Sequence, residues 1–172
     1  MSARRKHYFG IYRGTVHNNV DPMQMGRIMA IVPDVVGAIP STWAMPCAPM
    51  AGNQAGVFVV PPIGAGVWVQ FEGGDPDLPV WVGGWWNNAA EVPALAMAGA
   101  PGDPGIVIQT ARQNAVVLSD LPGPTGGIML KSNSGAIIIV NDTGIRIDNG
   151  KGATIEMSGP AVTINSGALV VV

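Results

Sequence analysis

The sequence predicts an all-β protein in two parts, a compact barrel of short strands followed by a stack of repeated strands. Three observations carry that reading. The 172 residues include 24 glycines and 15 prolines, close to a quarter of the chain, and each such residue inside a helix costs about 1 to 3 kcal/mol. Apolar residues still make up 48%, too many for a disordered Gly/Pro-rich chain. After residue 105, short apolar runs recur with glycine turns at an interval of about eight residues, an internal repeat of strand length.

Residues 8–88 form the first part. Tyr8 to Val16 is rich in aromatic and β-branched residues and reads as a strand. Asn18-Asn19-Val20-Asp21-Pro22 is a turn cluster, because Asn and Asp bond their own backbone and Pro fixes φ. Gly26 to Pro33 supplies a second strand with Ile28, Ala30 and Val32 on one face. Further strands are expected at 42–47, 56–60, 66–71 and 79–84, separated by Pro61-Pro62, Gly73-Gly74-Asp75-Pro76 and Gly83-Gly84. Val67, Val69 and Phe71 alternate with Trp68, Gln70 and Glu72, the period of a half-buried strand. Strands and turns at this spacing predict an OB-fold Greek-key barrel.

Residues 89–105 turn to Ala, Pro and Gly and read as a linker with a short helical turn before Pro93. From Ile106 the strands centre near Val107, Val117, Met129, Ile138, Arg146, Ile155, Thr163 and Val170, with turn glycines at Gly135, Gly144, Gly152, Gly159 and Gly167. Ile145 and Ile147 oppose Arg146 and Asp148, Ile155 and Met157 oppose Thr154 and Glu156, and Val162 and Ile164 oppose Thr163 and Asn165. One face is dry and the other wet.

A lone chain of eight short strands would make a solenoid of two or three turns with open ends and few enclosed side chains. Three chains around one axis share a single dry core and offer each strand partners from the other chains. The repeat is therefore read as a trimeric intertwined β-helix, a triangular-prism needle about 38 Å long at about 4.8 Å per strand. Its expected core is Ile137, Ile139, Ile145, Ile147, Ile155, Met157, Val162 and Ile164. The last residues, Leu169, Val170, Val171 and Val172, lack a polar cap, and an apolar β edge is a site for docking of another protein.

Composition excludes several functions. The stretch from Val35 to Phe71 has no charge, but five prolines break it, so no membrane helix is expected there. No secretory or twin-arginine signal accompanies Arg4-Arg5-Lys6, so synthesis in the cytoplasm is expected. Cys47, the single cysteine, has apolar neighbours and reads as a small buried hydrophobe. His7 and His17 stand apart from any Cys or carboxylate cluster, so neither a metal site nor a catalytic histidine is expected. Gly64-Ala65-Gly66 and Gly73-Gly74 read as hairpin turns, not as a phosphate cradle. Asp142, Asp148 and neighbouring Asn residues are read as turn chemistry, with an axial cation as the lesser alternative. No cofactor and no catalytic residue is expected.

An oligomeric OB-fold nucleic-acid binder is the alternative from another class. Between residues 8 and 90, Arg13 and Arg27 face Asp21, Asp34, Glu72, Asp75 and Asp77, the wrong balance for tracking phosphates. Trp68, Trp81, Trp85 and Trp86 could stack on bases, but without a basic groove they read as core or trimer-contact residues. No nucleic-acid partner is expected.

Several blocks carry a family likeness. Tyr12-Arg13-Gly14-Thr15-Val16, Asn19 through Ile28, Val32-Pro33-Asp34-Val35, Trp43 through Cys47, Pro61 through Val69 and Phe71 through Pro76 stand in the order found in phage baseplate assembly protein V. The chain resembles that VgrG-like spike family, and most closely the short central spikes of extracellular contractile injection systems. The resemblance implies a homotrimer mounted under a baseplate hub at the end of an inner tube, plugging the tube and piercing a target membrane on sheath contraction. It implies a phage tail-like particle, as a virion or released outside the cell, and leaves a bacteriophage tail spike as an alternative. Arg4, Arg5 and Lys6 are a possible hub contact, and a PAAR-like tip protein is expected at the C-terminal end. Some relatives insert a lysozyme domain, but Glu91 and Asp103 are the only acids of the linker, and glycoside hydrolysis needs two carboxyl groups across a cleft. The His-X-His iron site of some spike tips is also missing, since no histidine occurs after His17.

Overall fold

The computed structural model describes residues 6–99, 102 and 105–171. Arg4, Arg5 and Val172 lie outside the described residues, as do four of the linker residues, including Asp103. The chain divides into two compact units at Ala89/Ala90.

In the first unit the strands are β1 (Tyr12–Asn18), β2 (Met29–Ile31), β3 (Met45–Pro46), β4 (Ala51–Gly52), β5 (Ala55–Gly56), β6 (Gly66–Phe71) and β7 (Pro79–Trp85). Five of them form one sheet in the order β2-β1-β6-β7-β3. Antiparallel bridges Ile28↔Ala44 and Ile31↔Pro40 link the β2 edge to the segment entering β3, which curls the sheet toward closure. This is the OB-like barrel the sequence predicts. Its interior holds Val16, Ile28, Ala30, Val32, Ala44, Val67, Val69 and Phe71. The alternation read in 28–32 and 67–71 is the one that fills the core.

Three local features differ from the sequence reading. A four-residue helix, α1 (Pro33–Val36), leaves β2 immediately, with Pro33 at its start and Gly37 at its end. Residues 57–60 are not a strand. Val57 donates to the Met50 carbonyl, and the segment then runs into Pro61 and Pro62, which have no N–H for a ladder. Cys47 is exposed, where a buried side chain is expected: alternation past Ala44, buried, and Met45, exposed, carries Cys47 outward while its N–H donates to the Trp81 carbonyl.

Asp21 does far more than cap a turn. Its carboxylate accepts from the N–H groups of Met23 (2.9 Å), Met25 (2.8 Å) and Arg27 (3.3 Å), and from the Arg27 guanidinium at 2.6 Å. Arg27 in turn lies over the Trp43 ring, 5.5 Å from its centroid. The whole loop between β1 and β2 is folded around one buried carboxylate.

Two short 3-10 turns, 89–91 across the boundary and 94–97 beyond it, lead into the strands of the second unit. Its strands are β8 (Ile106–Gln109), β9 (Ala115–Ser119), β10 (Gly127–Lys131), β11 (Ile137–Asn141), β12 (Gly144–Asp148), β13 (Thr154–Ser158), β14 (Ala161–Ile164) and β15 (Leu169–Val171). All eight expected strands are present. They pair antiparallel in chain order from β8 to β15. Pairing with strands of other chains is expected from sequence, but each strand here pairs with its sequence neighbours, because turns of a few residues deliver each strand beside the last.

Gly144 shows how tight these turns are. It opens β12 at φ +137°, after Thr143, whose N–H and hydroxyl both donate to Asn141 Oδ1. A Cβ there would come 1.9 Å from the Met157 carbonyl oxygen of the next strand. Gly144→Ala is therefore expected to lower the melting temperature of the sheet by about 5 °C, read by circular dichroism. An unchanged melt would show that β12 yields without cost.

Candidate functional site

The sheet of the second unit has two unlike faces, set by the register of its pairs. On one face, Ile138 stands opposite Ile147, and Ile147 opposite Ile155. The same column continues through Ile164 and Leu169 in one direction and through Leu130, Val116 and Ile108 in the other. A parallel column runs Ile106, Leu118, Ile128, Val140, Ile145, Met157, Val162 and Val171. Every position of both columns is aliphatic or Met. Apart from Val162 and Ile164, which are half-buried, these side chains are 36% to 66% exposed in the single chain. Along one lateral margin this face holds a groove of about 930 Å³ lined by Val116, Leu130, Ile138, Ile147 and Ile155.

Six of the residues expected in the needle core, Ile145, Ile147, Ile155, Met157, Val162 and Ile164, lie on this face. Ile137 and Ile139 do not. Ile137 pairs with Asp148 and Ile139 with Arg146, so both sit on the opposite face, and Ile138 and Val140 take the places expected for them. Four consecutive apolar residues in β11 carry no alternation of their own, and only the pairing with β12 decides which two turn which way.

The opposite face is mixed. Its central column reads Val107, Val117, Met129, Ile139, Arg146, Glu156, Thr163 and Val170. Arg146 donates to Glu156 directly across the β12–β13 pair, and to Asp148 at 2.8 Å. That guanidinium, together with the Gly150 N–H, holds the Asp148 carboxyl below the usual carboxylate range. From Val107 to Thr163 the residues of this column are half-buried in the single chain.

β15 is an edge strand: it pairs with β14 on one side. Leu169 and Val171 belong to the apolar face and Val170 to the other. Three expected docking residues thus present both an open backbone edge and exposed aliphatic side chains. Of the basic arm, Lys6 is described, with its ammonium 4.9 Å from the centre of the Tyr8 ring.

The tryptophans of the barrel divide. Trp81 Nε1 donates to the Gly26 carbonyl and Trp85 Nε1 to that of Val67, both at 3.2 Å. The Arg13 guanidinium covers Trp85 and Trp68 at 5.0 and 5.5 Å. Trp86 is 62% exposed. Sequence reasoning missed the exposed apolar loop that Val57, Phe58, Val59 and Ile63 form; a continuous apolar run before Pro-Pro was its only signal. Among the described residues, no group of three His, Cys, Asp or Glu side chains is placed to hold a metal ion, and no helix is long and apolar enough to cross a membrane.

A family model described as the type VI secretion system/phage-baseplate injector OB domain matches residues 12–86. A second, the phage baseplate V C-terminal trimerisation domain, matches residues 105–170. No curated protein matches the chain. The two matches take in the barrel and the sheet in the order this chain carries them. The chain belongs to the phage baseplate V family and is a spike-type structural component of a baseplate assembly.

Proposed function

We propose that this chain is the non-enzymatic central spike of a contractile injection system, working as a homotrimer. The observation that carries this is the unbroken apolar face of two eight-residue columns. A patch of that extent on a small soluble domain marks a surface meant to be covered. Three copies turned inward would bury it around one axis, leaving the face with Arg146, Asp148 and Glu156 in water. The family's own description as a trimerisation domain supports the same arrangement.

In that trimer the barrels would sit under the baseplate hub, with Arg4, Arg5 and Lys6 beside it. The β15 edges would receive a PAAR-like tip protein, with Val172 among the residues expected to meet it. Sheath contraction supplies the force, and a rod of hydrogen-bonded strands transmits it to the target envelope. The protein is then made in the cytoplasm and released as part of a phage tail-like particle. A bacteriophage tail would use the same part, and the content of the inner tube, a genome or a protein cargo, separates the two.

Light scattering tests the assembly first. A mass near 53 kDa, three times 17.7 kDa, is expected, and a stable monomer at 17.7 kDa would overturn the needle. Particles produced without this chain test the role. They are expected to lack density below the hub and to leave target cells intact; fully assembled particles that still breach the envelope would sink the proposal.

A further inference from the structure

We propose that neighbouring copies in this trimer join through opposite lateral margins of the sheet, a basic margin of one copy seating the acidic margin of the next. The inference rests on the trimer proposed above and specifies which surfaces meet. A closed ring of three uses two different patches per copy, since only a two-fold interface pairs a patch with itself. The two margins of this sheet are such patches.

One margin carries the turns β8–β9, β10–β11, β12–β13 and β14–β15, and with them Arg112, Lys131 and Lys151. Asp148 also ends there, but Arg146 and the Gly150 N–H already hold it. The other margin carries the connections β9–β10, β11–β12 and β13–β14, with Asp120 and Asp142 and no Lys or Arg. Asp142 accepts from the Gly123 N–H at 3.1 Å. Among the described residues, Arg112, Asp120, Lys131, Asp142 and Lys151 form no ion pair within their own chain.

Shape and apolar surface agree with the charges. The two sets of turns alternate along the stack, one strand spacing or about 4.8 Å apart, so each connection of one margin faces a gap between turns of the other. The 930 Å³ groove lies on the apolar face along the basic margin. The aliphatic column containing Leu118, Val140, Ile145 and Met157 lies toward the acidic margin. Seating that column of one copy in the groove of the next brings Asp120 and Asp142 alongside Arg112, Lys131 and Lys151. Like margins set together would repel.

The test is the trimer–monomer equilibrium of the full chain, measured by light scattering on dilution at low and high salt. Arg112→Glu alone and Asp120→Lys alone are each expected to weaken the trimer about 100-fold at low salt, through three altered contacts per ring. The loss should shrink at high salt, where exposed charges are screened. The double exchange Arg112→Glu with Asp120→Lys should recover wild-type affinity to within a few-fold. A wild-type trimer unmoved by either single exchange would overturn the margin pairing and leave the trimer standing. A wild-type chain that is a monomer or a dimer would overturn the trimer itself, and this pairing with it.

Discussion

Ile147→Asp is expected to leave the chain a monomer of 17.7 kDa with its sheet intact. Ile147 stands mid-column on β12, flanked by Ile138 on β11 and Ile155 on β13, and in the single chain it is 39% exposed. A carboxylate at that place costs little while the face is wet. In the proposed trimer, three carboxylates would be enclosed near the axis with no cation on that face, at several kcal/mol per ion. The association constant should fall by more than about 1,000-fold. Ile139→Asp is the matching control. Its side chain lies on the other face, in the column that holds Arg146, and the trimer should survive. Circular dichroism that stays β-rich in both variants separates lost assembly from lost folding. If Ile139→Asp dissociates the trimer and Ile147→Asp does not, the face with Arg146 is the one turned inward.

That pair of variants also marks where sequence stops being informative. In β12 the order Ile145-Arg146-Ile147-Asp148 alternates, so both faces of that strand are legible by inspection. In β11 the run Ile137-Ile138-Ile139-Val140 is apolar throughout, and its facing is inherited from the register with β12. The eight strands were legible because a period of two and a glycine turn both repeat. Their partners were not: alternation says which side a residue faces, while the choice between a neighbour in the same chain and one in another depends on turn geometry. The barrel core was legible for the same reason as β12, in Ile28, Ala30, Val32, Val67, Val69 and Phe71. Burial of Cys47 and a strand at 56–60 both follow from apolar character, but apolar character fixes burial or pairing only inside a ladder, and both lie at or beyond a ladder's end. The lateral margins were hidden altogether, since Arg112, Lys131 and Lys151 come together only once the strands fold back and forth.

The second large effect concerns the barrel. Asp21 reads in the sequence as one of several turn formers, yet its side chain is 3% exposed and anchors three backbone N–H groups and the Arg27 guanidinium. Asp21→Ala strands those donors and leaves Arg27, only 16% exposed, without its counter-charge. Leaving buried donors and a charge unpaired ranks among the few single changes with large effects. A fall in melting temperature on the order of 10 °C is expected for the barrel, with the sheet's own transition unmoved. Asp21→Asn keeps one acceptor oxygen and loses the charge, so it isolates the ionic part. Hydrogen bonding from Arg27, and then from the N–H groups, holds the folded-state pKa of Asp21 far below the ordinary value of about 3.9. A depressed carboxylate pKa adds stability above the unfolded-state value, and that stability is lost as pH falls toward the folded-state one. The wild-type advantage over Asp21→Asn should therefore be constant from neutral pH down to about pH 5 and should shrink steadily below about pH 4. A gap that stays constant into strong acid would mean that the carboxylate's charge contributes nothing to the fold and that its geometry alone holds the loop.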